Sequence, residues 1–142
     1  MRTKKTLESI LIWFKLSRIH SYNVTASNRI LKEFDLSLAQ FDVIAQLGVG
    51  EELTQSQLTE KLLVTKGNTS QLLRAMEEKG FIRRRQEWKT KFVSLTPQGV
   101  ELHDRIVPLM ESFQNETFSD LDDHEREELL NLLRKVEKHI HD

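Results

Sequence analysis

The sequence predicts a mostly α fold with one small β-hairpin, an α+β class. Three observations predict it. Apolar residues recur at helical spacing through most of the 142 residues. Two β-forming runs, "FIRRRQ" and "KFVSLT", stand one short turn apart. Helix stop and start signals punctuate the chain at Gly48, Gly80 and Thr96-Pro97.

The elements follow in order. Residues ~5 to 34 contain no Gly or Pro and read as one long helix. Its run Ile10–Phe14 is apolar all round, where a surface helix needs only one stripe, so burial on two sides is expected. A core helix of a monomer and a helix packed on a partner subunit both satisfy that pattern. Ser37 caps a second helix, "LAQFDVIAQL", which ends at Gly48. Thr54 caps a third, "QSQLTEKLL", with Gln57 as its capping-box partner. Thr65 is the expected N-cap of a fourth, which buries Leu72, Leu73 and Met76 and stops at Gly80. The hairpin comes next, with "EWKT" as its turn. Thr96 and Pro97 open a fifth helix as cap and first-turn proline, and Pro108 inside it should kink it. Ser119 or Asp122 starts a last helix with Leu129, Leu133, Val136 and Ile140 on one face.

Composition narrows the function. At 38% hydrophobic and 30% charged the chain is an ordinary soluble globular protein. Its longest apolar run near the N-terminus falls far short of the ~20 residues of a membrane helix and lacks a signal-peptide pattern, which reads as cytoplasmic with no membrane partner. The absence of cysteine excludes disulfides, thiol redox sensing and thiolate metal sites. Net charge is -1, yet it is unevenly spread. Residues 61–91 hold nine Lys and Arg against three Glu, whereas residues 119–142 hold eight acidic against four basic residues. An anionic partner is expected for the middle of the chain only.

The middle also carries the motif. Two short helices joined by a few residues have helix-turn-helix spacing. The second opens with "TKGNTSQ", and a basic hairpin follows it. In such a motif the front of the second helix faces base edges in the major groove, where Asn and Gln pair with adenine and Lys or Arg with guanine. A basic hairpin suits phosphates or a minor groove. Small polar residues at a helix start are also ordinary caps, and "RRR" also serves as a solvated edge that discourages strand pairing. The joint order of helix, turn, polar-fronted helix, Gly stop and basic hairpin favours duplex DNA.

Those residues carry a resemblance. "LTQSQLTEKLLVTKGNTSQLLRAMEEKGFIRRR" followed by "FVSLTPQGVELHDRIVP" resembles the MarR family of bacterial winged-helix transcription regulators, over nearly the whole chain. The resemblance implies a single domain over 1–142, with a winged helix-turn-helix lobe at 37–96 and a helical dimerisation region from 1–36 and 97–142. It implies a homodimer that represses a palindromic operator and releases it when a small aromatic or phenolic ligand binds. Carried over by position, Thr65, Lys66, Asn68, Thr69, Gln71 and Arg74 would meet DNA from the fourth helix. Ser56 and Gln57 would sit near phosphate, and Arg83, Arg84, Arg85, Lys89 and Lys91 would form the wing. Two departures stand out. The wing tip has Lys89 where many members place an arginine, and Leu63 stands in the turn where Gly is common.

A ligand pocket in this family draws on positions like Trp13, Arg18, His20, Tyr22, Asn23 and Phe41. Core and dimer packing explain Trp13 and Phe41 as well. No P-loop, G-x-S-x-G or G-x-G-x-x-G is present, so no enzyme is expected. His139 and His141 are two residues apart, a spacing that does not suit a helical zinc pair, so neither metal nor cofactor is expected. The competing reading from a different class is a winged-helix module that docks an acidic protein instead of DNA.

Overall fold

A computed structural model describes residues 1–63 and 68–141 of the chain. It divides into two compact units, Met1–Met110 and Glu111–Asp142, with one helix running from the first into the second.

In the first unit, α1 spans Lys4–Lys32. Its N-cap, Thr3, accepts from the Thr6 amide. The helix closes with the Asp35 and Leu36 amides returning to the Lys32 and Leu31 carbonyls, 3.1 Å each. That closure puts Asp35 at φ 55°, a left-handed conformation more usual for Gly. Lys79 secures it, donating to the Asp35 carbonyl at 2.8 Å.

Helix α2, Leu38–Leu47, begins and ends where the sequence predicts, with both bonds of a Ser37/Gln40 capping box. Strand β1, Glu52–Thr54, follows, and the sequence reading contains no such strand. Thr54 ends it and caps α3, Gln55–Lys61, through the expected capping box with Gln57. Helix α4 runs Thr69–Glu78 with Asn68 as N-cap, later than a start at Thr65 predicts; Thr65 lies outside the described residues. At its other end Gly80, φ 83°, completes a Schellman closure: its amide reaches the Glu77 carbonyl and the Phe81 amide reaches Met76.

The hairpin is β2, Ile82–Glu87, and β3, Thr90–Leu95. Each strand reaches one residue into the predicted four-residue turn, leaving only Trp88-Lys89 at the tip. Strand β1 pairs on the far side of β3, so the sheet is three-stranded in the order β1-β3-β2.

Helix α5, Pro97–Thr117, continues through Pro108. In the second unit α6, Asp123–His141, starts from Asp122, not Ser119: Asp122 and Glu125 exchange both bonds of a capping box. None of the residues of α6 is buried.

The core is drawn from every element of the lobe. Leu31 of α1, Ile44 and Leu47 of α2, Leu58 of α3, Leu73 and Met76 of α4, Val93 of β3 and Ile106 of α5 are each 0% exposed. This packing fixes α3, α4 and the sheet against one another. The front half of α1 is different. Leu11, Ile12, Trp13 and Phe14 are more than half exposed there. No described helix is long and apolar enough to cross a membrane.

Candidate nucleic-acid interface

Helix α4 turns its apolar side inward and its polar side out. Leu73 and Met76 are buried, while Asn68, Gln71 and Arg74 are exposed. Those three lie within about two turns, presented from one helix whose rear is locked in the core. Thr69 behaves differently from its predicted companions: it is only 6% exposed and belongs to the buried side. Lys66 and Thr65 lie outside the described residues.

The chain just after α3 is held from behind by a residue that no motif singles out. Asp42 of α2 is buried, and its carboxylate accepts from the Leu63 amide at 2.6 Å and from the Gln46 amide at 3.3 Å. Leu63, the residue that stands where Gly is common, has its side chain in solvent and its N–H on this carboxylate. A charged acceptor on a backbone N–H is among the stronger hydrogen bonds. The sequence signal was present: one acid in the middle of the apolar helix "LAQFDVIAQL". Asp42→Ala is expected to destabilise the lobe by about 1–3 kcal/mol in urea denaturation and to weaken DNA binding. Asp42→Asn, which keeps one acceptor without the charge, should recover part of both; an unchanged urea midpoint in Asp42→Ala would show that the Leu63 bond does not hold the chain after α3.

The wing separates its cations into two groups. Arg85 makes a bidentate pair with Glu52 of β1, 2.9 and 2.6 Å, adds a bond to Glu87 at 2.9 Å, and lies over the Phe92 ring. Arg84 reaches back to Glu77 of α4 at 3.0 Å. Arg83, Lys89 and Lys91 are exposed and form no ion pair among the described residues. So Arg84 and Arg85 tie the hairpin to α4 and β1, while the other three are available to an anion.

Ser56, at the start of α3, lines one cleft of about 560 Å3 together with Lys89 and Lys91. Gln57 is exposed beside it, its amide oxygen engaged by the Thr54 cap. The structure therefore brings the front of α3 and the wing tip together, as a phosphate-binding edge requires.

The paired carboxylates are perturbed. The Arg85 guanidinium hydrogen-bonded to Glu52 holds that carboxyl below its ordinary 4.5, and Arg84 does the same to Glu77. Arg85 itself is pushed above the ordinary arginine range, first by Glu52 and then by Glu87. A carboxyl whose pKa is lowered on folding binds its proton more weakly when folded. Its contribution is complete above the ordinary carboxylate range and is lost as pH falls through the lowered value. Amide protection across β1–β3, taken relative to the unstructured rate at each pH, is thus expected to fall on acidification below about pH 4.5, and Glu52→Gln should show that weaker protection already at neutral pH. Equal protection in variant and parent at neutral pH would rule out this anchoring.

The predicted ligand residues do not enclose one cavity among the described residues. Trp13 and His20, seven residues apart on α1, line one shallow groove with Leu16, Ser17 and Ser21. Arg18 lies on another face beside Leu11 and Phe14. Tyr22 is exposed, Asn23 accepts from the Ser27 hydroxyl at 3.5 Å, and Phe41 packs against the lobe core. No group of three or more described His, Asp or Glu residues is placed to hold a metal ion.

The geometry matches known proteins. The MarR family model matches residues 34–87, from the end of α1 through β2. An uncharacterized HTH-type transcriptional regulator of Bacillus cereus (strain ATCC 10987 / NRS 248) is 44% identical over 130 residues, covering 91% of this chain and 88% of that protein. The chain belongs to the MarR family. It is a DNA-binding transcriptional regulator, not an enzyme. The structure superposes on AbsC, a MarR family transcriptional regulator of Streptomyces coelicolor, with a TM-score of 0.86 at 19% identity, over 99% of this chain and 97% of that one. A mutant of MarR from E. coli complexed with operator DNA gives a TM-score of 0.78 at 23% identity, covering 91% and 95%. At those identities the two structures establish the fold.

Proposed function

We propose that this MarR-family chain acts as a homodimeric repressor, reading a palindromic operator through α4 and its wing and releasing it when a small aromatic ligand binds. One observation carries the dimer: both ends of the chain leave large apolar side chains in solvent. On α1 these include Leu11, Ile12, Trp13 and Phe14; on α6 they include Leu130, Leu132, Val136 and Ile140. Exposed apolar surface of this kind, on each helix by itself, marks an interaction site. A second copy is the simplest occupant, and a two-fold pair of lobes sets two recognition helices about 34–36 Å apart, one turn of DNA.

Selection of bound sequences from random duplex DNA tests the reading. A palindrome with half-sites one helical turn apart is the expected result, with a dimer in sedimentation at micromolar protein. A monomer, or an asymmetric site of one half, overturns it. For the ligand, the Trp13–His20 groove joins an aromatic wall to a polar handle, as an aromatic acid requires. Aromatic carboxylates and phenols should weaken operator binding, and His20→Ala should blunt the effect; no response at millimolar concentration removes the ligand from the proposal.

A further inference from the structure

The wing tip holds an unexplained residue. Trp88 is 86% exposed. It occupies the first position of the two-residue turn at φ 57°, a conformation that costs a bulky residue free energy and that Gly adopts freely. Nothing in the fold repays that strain by burying the indole. The turn is nevertheless well held: the Gln86 side-chain amide donates to the Trp88 carbonyl at 3.1 Å, and the Lys89 ammonium lies 5.2 Å from the indole centroid. Glu87 and Thr90 close the hairpin beneath it. The most exposed large aromatic of the lobe is thus projected from the end of a braced hairpin, beside Lys89 and Lys91 at the phosphate-binding edge.

We propose that Trp88 enters the minor groove of the bound duplex edge-on and makes the wing selective for A·T pairs. The inference rests on the DNA-binding reading above and adds a specificity-determining residue to it. An aromatic ring is about 3.5 Å thick by ordinary carbon contact distances, and the minor groove is about 6 Å wide, so an indole fits with its plane along the groove walls. Lys89 and Lys91 then reach the phosphates that flank the groove. The indole N–H is a donor and cannot accept. In the minor groove A·T and T·A offer only acceptors, the adenine N3 and thymine O2, whereas G·C adds the guanine 2-amino donor. That amino group meets the indole N–H donor to donor and also occupies the groove floor. Lysine alone carries no such discrimination, because its contact is to phosphate.

The experiment uses the full-length protein and the tightest duplex recovered from random DNA. At the minor-groove positions protected outside the α4 contacts, A·T pairs are replaced by G·C, by inosine·C and by diaminopurine·T. Inosine·C lacks the 2-amino group in the minor groove, and diaminopurine·T adds one to an A·T-like pair. The protein is expected to bind A·T and inosine·C alike, and G·C and diaminopurine·T about tenfold more weakly. Trp88→Ala should bind all four alike, and Trp88→Phe, which keeps the ring without its donor, should retain only the steric part of the preference. Circular dichroism checks that both variants stay folded, as full exposure of the side chain leads one to expect. Discrimination that survives intact in Trp88→Ala, or that follows the G·C pair and ignores the amino group, overturns the proposal. Failure to recover any preferred duplex counts against the operator reading instead, and indifference of the parent protein to all four pairs counts against Trp88 alone.

Discussion

Replacing Gly99 by alanine is expected to destabilise the lobe by about 2–4 kcal/mol, even though the position is helical. Helix propensity alone predicts the opposite sign, a gain of about 1 kcal/mol for Gly to Ala. Packing decides. A Cβ on Gly99 would overlap the Phe81 carbonyl oxygen and crowd the Leu95 side chain at 3.3 Å. The obstacle is backbone, so it cannot rotate away. That carbonyl also accepts from the Thr96 amide at 3.1 Å, and the Thr96 hydroxyl donates to the Gly80 carbonyl at 2.6 Å while accepting from the Gly99 amide at 3.0 Å. The first turn of α5, the Schellman closure of α4 and the start of β2 are thereby fastened at one point. An added methyl separates them, so it costs both overpacking and one or more of these bonds. With total stabilities of about 5–15 kcal/mol, a loss of this size is a large fraction. A urea midpoint that is unchanged or raised would reject the argument. DNA affinity should fall with stability, because α4 ends at the same fastening.

What was legible in the chain was mostly local. The Thr54/Gln57 box needs residues three apart, and both of its bonds form; Ser37 caps α2 as expected, and Gln40 completes a second box there. Gly80 stops α4 because its closure involves only the preceding turn. Strand β1 was not legible. It is three residues long, contains one apolar residue, and exists because β3 lies beside it, some forty positions away. Asp35 in a left-handed conformation was equally hidden, since the lysine that secures it is 44 positions away.

The site shows the same division. Asn68, Gln71 and Arg74 emerge on the exposed side of α4, as the apolar spacing of Leu73 and Met76 requires. The ligand residues failed to converge for a reason that a helical wheel already contains. At 100° per residue, Trp13 and His20 share a face, whereas Arg18 is turned well away and Tyr22 is nearly opposite. In the sequence the wing is one block of charge. Strand pleating and carboxylates distant in sequence divide it, and neither is visible in the letters "RRR".

That division sets the other large effect. Neutralising Arg83, Lys89 and Lys91 together is expected to weaken DNA binding on the order of a hundred- to a thousandfold at moderate salt. In a two-fold dimer each substitution counts twice, so up to six phosphate contacts are lost, and the slope of log affinity against log salt should become shallower by about 5. Arg84→Ala and Arg85→Ala should change that slope little. Arg85 stands against Glu52 and Glu87, and Arg84 against Glu77, so neither adds net positive charge to the wing. Their loss should appear instead as faster amide exchange in β2 and β3. Glu52→Gln leaves Arg85 paired with Glu87 alone, as Arg84 is with Glu77, so it too should change the slope little. The measurement is a salt titration of binding by fluorescence anisotropy on one fixed duplex. Should Arg85→Ala flatten the slope as much as Lys91→Ala does, the Arg85 ion pairs of the free protein must open on DNA, and Arg85 would join Arg83, Lys89 and Lys91 on phosphate.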